Sequence, residues 1–218
     1  MFSKKILGLS LVGVLMTSAA MAETQATAWT DLNMRTGPGP FYQILGVIPA
    51  NEAVVVEGCL EDASWCKVSH GEAQGWAAGN YLTTNVADAP VALSVAGPTV
   101  VLETVTYDGN QDEAVLAGGS AGVIAGALIA GPVGAIIGGI VGASAGAAAT
   151  PPETTTITYV QSNPVETVYL DGEVVVGAGI PDPVTLYPVP DSEYSYVYIN
   201  GVPVLVETPT RKVAYIIR

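Results

Sequence analysis

The sequence Leu32-Asn33-Met34-Arg35-Thr36-Gly37-Pro38-Gly39 joins an alternating run of apolar and polar residues to a turn rich in glycine and proline. Further runs rich in β-branched and aromatic residues follow, separated by short clusters of turn-forming residues. We predict strands at Gln43–Ile48, Ala53–Gly58, Trp65–Val68 and Gly75–Ala77. Because several short strands fall within about sixty residues, we predict that residues 27–84 form a small β-barrel.

This region resembles the bacterial Src-homology-3 domain. The matching elements are Leu32 to Gly39, Val47-Ile48-Pro49 before the strand Val54–Val56, Trp65-Cys66-Lys67-Val68, Gly75-Trp76 and Tyr81-Leu82. The resemblance covers nearly all of residues 27–84. Members of this family in secreted proteins often target peptidoglycan or other envelope components, so the resemblance implies that the barrel binds a cell-wall peptide or an envelope protein.

Three aromatic residues are the candidates for ligand contact in the barrel: Tyr42, Trp65 and Tyr81. The tyrosines are suited to a binding groove because each presents an apolar ring with a polar tip. Trp65 fits either a groove or the core. Leu32 and Trp76 are predicted to be core residues, since a tryptophan flanked by small residues in a short strand usually fills a barrel.

Cys59 and Cys66 are the two cysteines of the chain. In an oxidising compartment we expect them to form a disulfide, which would contribute about 2.5 kcal/mol by closing a short loop. The alternatives are a free catalytic cysteine and a metal site, but two thiols and one histidine do not complete a ligand set. We therefore predict no metal and no cofactor.

The first residues are typical of a secretory signal. Lys4 and Lys5 precede the apolar run Ile6–Met16, and Ala20-Met21-Ala22 matches a cleavage site. We predict that residues 1–22 are a signal peptide. The alternative is an uncleaved membrane anchor, although the apolar run is shorter than the ~20 residues needed to span a bilayer. The protein is therefore expected to be exported to the periplasm or cell envelope.

The chain is strongly acidic, with a formal net charge of −13 from 7 basic and 20 acidic residues. Removing the predicted signal removes two lysines and no acidic residue, so the net charge of the mature chain becomes −15. Such a surface repels the phosphates of nucleic acid and anionic lipid headgroups. We predict no nucleic-acid partner.

Residues 114–152 contain no charged side chain. Small residues recur there at every fourth position, namely at Gly118, Gly122, Gly126, Ala130, Gly134, Gly138, Gly142 and Gly146. On a helix they would form one stripe where another backbone can pack closely, an arrangement that lipid favours. We predict a glycine-zipper helical hairpin at 114–149, with its turn at Gly131-Pro132, in contact with membrane lipid.

Two alternatives for this stretch are a disordered Gly/Ala spacer and a pair of helices packed on the protein's own domains. A membrane hairpin would anchor the chain or support a homo-oligomer, and the envelope protein would then be membrane-associated. The alternative function is a structural oligomer or pore-forming assembly built on the zipper.

We predict no catalytic residues. Gly118-Gly119-Ser120-Ala121-Gly122 matches the nucleophile-elbow pattern G-x-S-x-G, but that motif needs a preceding strand and a later histidine. The single histidine, His70, comes earlier in the chain, in a predicted turn. An enzyme remains the less favoured alternative.

The C-terminal residues 150–218 are predicted to form an antiparallel β-sheet, joined to the barrel through a linker at 85–113 and the zipper. Asp171-Gly172 and Asn200-Gly201 are strong signals for tight hairpin turns. They are flanked by the predicted strands Val165–Leu170, Glu173–Val176, Tyr194–Ile199 and Val202–Val206, and a further strand is predicted at Lys212–Ile217.

Tyr194, Tyr196 and Tyr198 share one face of a predicted strand. Such a row can bind a ligand, but cross-strand packing is its commoner use.

The C-terminal region resembles an uncharacterised family found at the C-termini of exported alphaproteobacterial proteins, often beside bacterial Src-homology-3 domains. The residues that carry this resemblance are Gly179-Ile180-Pro181, Tyr187-Pro188-Val189-Pro190, Tyr196 to Gly201, Val204-Leu205-Val206 and Thr210-Arg211.

Together the patterns predict a mainly β protein with a helical hairpin: a small Src-homology-3-like β-barrel, a glycine-zipper helix pair and a C-terminal antiparallel β-sheet. The expected function is that of an exported, non-enzymatic cell-envelope protein.

Overall fold

The computed structural model describes residues 24–87, 89–96, 100–107, 122–128 and 151–218. The predicted signal peptide at 1–22 lies outside these residues. So does the predicted zipper at 114–149, except for 122–128.

The N-terminal region forms one eight-stranded sheet in which every pairing is antiparallel. Its strands are β1 Thr24–Ala28, β2 Leu32–Arg35, β3 Ile44–Ile48, β4 Ala53–Cys59, β5 Trp65–His70, β6 Ala73–Ala78, β7 Leu82–Val86 and β8 Ala89–Ala92. Their order across the sheet is β3-β2-β6-β5-β4-β1-β7-β8, so the sheet is open, with β3 and β8 at its edges. A barrel closed by strand pairing was predicted and is not what the described residues form, and we keep the word barrel only as the name of this region. A 3₁₀ turn at Gly79–Tyr81 precedes β7, and the short helix α1, Leu93–Ala96, follows β8.

The four strands predicted after the opening turn are confirmed as β3 to β6. Leu32 and Trp76 are buried in the core, also as predicted. Strand β8 lies in the stretch that was predicted to be a linker, where it pairs with β7 from Thr83–Ala92 to Val86–Ala89.

Residues 100–107 cross the end of β4. The Cys59 N–H donates to the Glu103 carbonyl at 2.8 Å, and the Val105 N–H donates to the Cys59 carbonyl at 2.9 Å. A Cβ at Gly58 would lie 2.6 Å from Val105 Cγ1, so this glycine is what lets the segment approach the strand. The segment is therefore fastened to the barrel through backbone hydrogen bonds.

The C-terminal region forms a second, mixed sheet in the order β14-β13-β12-β10-β9. Its strands are β9 Gly122–Leu128, β10 Thr167–Asp171, β11 Tyr187–Pro188, β12 Tyr194–Ile199, β13 Val202–Glu207 and β14 Lys212–Ile216; β11 pairs with β12, and the helix α2 spans Thr154–Ser162. Strands β12, β13 and β14 are antiparallel, but β10 runs parallel to both β9 and β12. The prediction of an entirely antiparallel sheet is wrong.

The two predicted hairpin turns have different outcomes. Asn200-Gly201 is confirmed: φ is 51° at Asn200 and 85° at Gly201, and β12 pairs with β13. The hairpin predicted at Asp171-Gly172 is wrong, because no strand forms at Glu173–Val176. Gly172 does turn the chain, with φ at 94°, but the next residues enter the protein interior.

The helix predicted across Gly122 and Gly126 is also wrong where the structure describes it. Residues 122–128 form β9, in which Gly122 is the register partner of Val168 and Val123 that of Tyr169. Glycine disfavours a helix by roughly 1 kcal/mol, and β-branched residues such as Val123 favour strands. The other predicted zipper glycines, Gly118, Gly134, Gly138, Gly142 and Gly146, lie outside the described residues.

In the described parts of the chain, no helix has the length and apolar character needed to cross a membrane.

The two sheets share one hydrophobic core. Buried residues of the barrel, such as Leu32 and Val68, belong to the same cluster as Val197, Ile199 and Val204 of the second sheet. The other side of the second sheet packs against α2 through a smaller cluster of Val160, Val189, Tyr196, Leu205 and Ile217.

The tyrosine row on β12 packs against α2. The Tyr196 hydroxyl donates to the Asn163 carbonyl at 2.8 Å, and the Tyr198 hydroxyl donates to the Val160 carbonyl at 3.3 Å. Both bonds reach carbonyls at the C-terminal end of the helix, where the last carbonyls run out of intrahelical donors. The Val160 carbonyl also accepts from the N–H of Asn163, the residue that follows the helix, at 3.3 Å. Burial raises the pKa of both phenols.

Candidate functional site

The turn after β2 is built around one tyrosine ring. A Cβ at Gly37 would lie 2.3 Å from the ring of Tyr42, so only glycine allows that ring to lie against the turn. The turn contains three backbone hydrogen bonds of its own. The Thr36 N–H donates to the Gln43 carbonyl at 2.9 Å, the Gly39 N–H to the Gly37 carbonyl at 3.0 Å, and the Tyr42 N–H to the Gly39 carbonyl at 3.4 Å. We call residues 36–43 the β2–β3 loop.

Tyr42 belongs to an aromatic cluster that includes a residue of the crossing segment. The ring of Tyr107 lies 5.5 Å from the ring of Tyr42 and 5.5 Å from that of Trp76, edge-on to both. Burial raises the pKa of the Tyr42 phenol, and the charge and hydrogen bond of Tyr107 raise it further. Tyr42 and Tyr107 are half-buried, whereas Trp76 is buried beneath them.

Exposed apolar side chains lie beside this cluster. Phe41 is 38% exposed, and its ring stacks on Tyr169 of the C-terminal domain at 4.9 Å and 22°. Leu45, on β3, is also exposed. We call Phe41, Tyr42, Leu45 and Tyr107 the loop surface. An apolar surface with phenol hydroxyls can contact both apolar and polar groups of a ligand.

Beneath the loop surface, β2 is buried on both faces. All four of its residues are buried, although the pattern Leu32-Asn33-Met34-Arg35 alternates between apolar and polar. Leu32 and Met34 belong to the hydrophobic core. Asn33 and Arg35 point towards the C-terminal domain, where their side chains reach Glu173.

Arg35 uses all five of its N–H donors, although its side chain is only 1% exposed. Nε and Nη2 donate to the two oxygens of Glu173 at 2.5 and 2.8 Å. Nη2 also donates to the Asn200 carbonyl at 3.3 Å. Nη1 donates to the carbonyls of Pro40 and Tyr42 at 3.0 and 2.8 Å. One guanidinium thus connects the β2–β3 loop to the C-terminal domain.

Glu173 is fully buried, and both of its oxygens accept hydrogen bonds. Besides Arg35, its Oε1 accepts from Asn33 Nδ2 at 3.1 Å and from the Val174 N–H at 2.9 Å. A buried ion pair is tolerated when its geometry is bidentate and its other hydrogen-bond donors and acceptors have partners. Both conditions are met by Arg35 and Glu173.

Asn200 holds the C-terminal side of this contact. Its side-chain oxygen accepts from the Leu170 N–H at 2.9 Å, and its Nδ2 donates to the carbonyls of Leu170 and Gly172 at 3.1 and 3.0 Å. The Asn200 side chain is therefore hydrogen-bonded to the backbone just before Glu173. In this way the confirmed hairpin turn helps to position the Glu173 carboxylate.

The structure separates the three predicted ligand residues. Tyr42 is half-buried and belongs to the loop surface. Trp65 is 7% exposed and Tyr81 is 2% exposed, and both are core residues, so neither offers a face to a ligand. The Tyr81 hydroxyl lies 3.5 Å from the Glu173 carbonyl. Burial, with the nearby Glu173, raises the pKa of Tyr81 to about 12.

The predicted disulfide between Cys59 and Cys66 is confirmed. It joins the paired ends of β4 and β5. His70 lies at the other end of β5, with Nε2 2.6 Å from Glu52 Oε2. Within the described ranges, no group of three or more His, Cys, Asp or Glu residues could hold a metal ion.

Sequence reasoning missed Phe41, Tyr107, Arg35 and Glu173. Phe41 is adjacent to Tyr42 and could have been included on that ground. The pairing of Arg35 with Glu173 carried no local signal, because the two residues lie 138 positions apart in the sequence.

Comparison with known proteins identifies two domains. Residues 30–83 match the family described as "Bacterial SH3 domain", and residues 159–218 match "Domain of unknown function (DUF1236)". Both resemblances seen in the sequence are thus confirmed.

The chain is also similar to "Putative N-acetylmuramoyl-L-alanine amidase YrvJ" of Bacillus subtilis (strain 168), with 33% identity over 69 residues. The match covers 31% of this chain and 13% of that protein, so the chain corresponds to a small part of its relative. No solved structure matches the chain.

Proposed function

We propose that this protein is an exported, non-enzymatic component of the cell envelope whose barrel binds a cell-wall peptide or an envelope protein. The observation that carries the proposal is the bacterial SH3 domain at residues 30–83. The similarity to a relative named as an N-acetylmuramoyl-L-alanine amidase supports it, since that name refers to a bond of peptidoglycan.

We place the contact at the loop surface. Its members Phe41 and Leu45 are two of the exposed large apolar residues of the described chain, and they lie one and three positions from Tyr42. Exposed aromatic residues beside polar groups are typical of binding surfaces. The acidic chain disfavours phosphate-rich polymers as ligands, which leaves peptide or glycan groups of the wall as the better match.

Co-sedimentation with purified cell-wall sacculi tests this function. We expect the wild-type protein to pellet with sacculi and Phe41→Ala to bind about tenfold more weakly, the loss typical of an aromatic contact worth roughly 1.4 kcal/mol.

Tyr187→Ala is the matched control for Phe41→Ala. Tyr187 is 39% exposed, close to the exposure of Phe41, and its ring lies 5.9 Å from that of Tyr196, but it belongs to the C-terminal domain. We expect it to bind like the wild type. Equal losses in the two variants would contradict the placement, and a wild-type protein that stays in the supernatant would contradict the function.

We further propose that residues 114–149 anchor the chain to a membrane or oligomerise it. This part of the proposal is supported by the absence of charged side chains from residues 114–152 and by the four-residue spacing of Gly134, Gly138, Gly142 and Gly146, which lie outside strand β9. If it holds, the protein pellets with membranes and resists a salt wash, and crosslinking in detergent yields oligomers. Release by salt alone would refute the anchor.

A further inference from the structure

The β2–β3 loop has a sequence that leaves its conformation weakly restrained. Gly37 and Gly39 permit many backbone conformations, whereas Pro38 and Pro40 fix their own φ but have no N–H to donate to a stabilising hydrogen bond. The packing of Tyr42 on Gly37 and the backbone hydrogen bonds within the turn restrain the loop in part, and contacts from outside add to that restraint.

Arg35 supplies such contacts. Its Nη1 donates to the carbonyls of Pro40 and Tyr42 at 3.0 and 2.8 Å, so a single side chain fixes the returning arm of the loop. Nη1 can donate to both carbonyls at once only when the plane of the guanidinium group is held in this orientation.

Glu173 fixes that plane. Its carboxylate receives Nε and Nη2 of Arg35, the edge opposite the loop, and it is itself held by Asn33 Nδ2 and the Val174 N–H. A bidentate pair restricts the guanidinium in orientation as well as in position.

A second contact acts on the same loop from the same domain. The ring of Tyr169 stacks on that of Phe41 at 4.9 Å. Tyr169 is a buried residue of β10, the strand that ends two residues before Glu173. Two side chains of the C-terminal domain therefore meet the loop, one through Arg35 and one directly.

From these contacts we infer that the C-terminal domain is a positioning element for the barrel. Glu173, acting through Arg35, holds the β2–β3 loop in the conformation that binds the wall, and Tyr169 supports Phe41 within the surface. A loop that is ordered before binding loses less conformational entropy on binding, which raises affinity. This inference rests on the proposed function of the loop surface and assigns a role to a domain of unknown function.

The test compares single and double variants of the full chain in two measurements. The first is the affinity for purified sacculi at 25 °C, and the second is amide hydrogen exchange at Tyr42 and Thr36 without any ligand. For Glu173→Gln, which removes the charge but preserves the shape, we expect about a fivefold loss of affinity and faster exchange in the loop.

The double variant Arg35→Met/Glu173→Leu separates positioning from stability. It leaves no buried charge, and such replacements often restore stability. It also leaves the Pro40 and Tyr42 carbonyls without their donor. We therefore expect its unfolding temperature to rise above that of Glu173→Gln, while its affinity stays low and its loop exchange stays fast. Recovery of affinity together with stability would overturn the inference.

Leu205→Ala is the stability control. Leu205 is buried on the side of the C-terminal sheet that faces α2, in a cluster that contains no residue of the barrel. We expect this variant to unfold at a lower temperature with unchanged loop exchange and affinity. Loop exchange that follows the unfolding temperature in all variants would overturn the inference.

The two measurements also separate this inference from the proposed function. If wild-type protein does not bind sacculi, the proposed ligand is wrong, and exchange alone decides the positioning role. Wild-type exchange rates at Tyr42 in Glu173→Gln would overturn the positioning role whatever the ligand is.

Discussion

The two faces of the C-terminal sheet are covered by different chemistry. The face towards the barrel carries a fully buried ion pair between Glu173 and Arg35. The face towards α2 is covered by apolar residues and by the neutral hydroxyl of Tyr196, which bonds to a helix carbonyl. On the first face, removing one partner leaves a charge without compensation, whereas on the second it leaves only a cavity or one carbonyl. The loss of a polar partner should therefore lower the free energy of unfolding much more on the first face than on the second.

The largest effect is expected for Glu173→Ala. It leaves the Arg35 guanidinium buried with no counter-charge, which should lower the free energy of unfolding by about 3–5 kcal/mol. Urea unfolding of the purified protein measures the change. A loss below about 1 kcal/mol would show that water reaches Arg35 readily and would remove the contrast between the two faces.

On the helix-facing side, Leu205→Ala should cost about 2–4 kcal/mol, because it deletes buried methyl groups and leaves a cavity. The same urea titration applies. Val197→Ala, a deletion on the barrel-facing side of β12, is its partner experiment, and a smaller loss is expected there because fewer atoms are removed.

Alkaline pH gives a third test, through Tyr81. Its pKa is raised from 10.0 to about 12 in the folded protein, so the folded state resists ionisation that the unfolded state undergoes. The stabilising contribution is complete below pH 10 and is lost between pH 10 and 12, by about 2 kcal/mol. Other buried phenols contribute in the same direction, so the measurement is the difference between wild type and Tyr81→Phe. Parallel stability curves for the two proteins from pH 9 to 12 would contradict it.

The smallest effect belongs to Tyr196→Phe. It removes the hydroxyl that donates to the Asn163 carbonyl at 2.8 Å but keeps the ring in its cluster. We expect a loss of about 1 kcal/mol in the free energy of unfolding, the usual value of a neutral hydrogen bond. Circular dichroism should show an intact β-sheet. A loss as large as that of Glu173→Ala would mean that the two faces do not differ.

The strands of the barrel could be predicted from the sequence because the patterns that indicate them are local. The opening turn, the strand alternation and the glycine and proline clusters each span a few residues, and strands β3 to β6 follow them closely. The Asn200-Gly201 turn was predictable for the same reason, since two adjacent residues determine it.

The candidate site was harder to predict because the residues that contact one another there are far apart in the sequence. The alternation in β2 is typical of a strand with one buried face and one solvent-facing side, and no residue near Arg35 indicated that the C-terminal domain would cover the second face. Tyr81 was misjudged as a groove residue because the same covering buries it. Asp171-Gly172 is the opposite case, in which a strong local signal gave a wrong prediction. A hairpin was predicted there, but Glu173 is instead buried against Arg35.

The double burial of β2 also limits how the molecule can be divided. A fragment that ends after residue 107 would retain the whole barrel, yet Asn33 and Arg35 would face solvent and the β2–β3 loop would lose its support. The two domains match separate families, but they share one hydrophobic core. Excised fragments would therefore report on a molecule with a different surface from that of the intact chain.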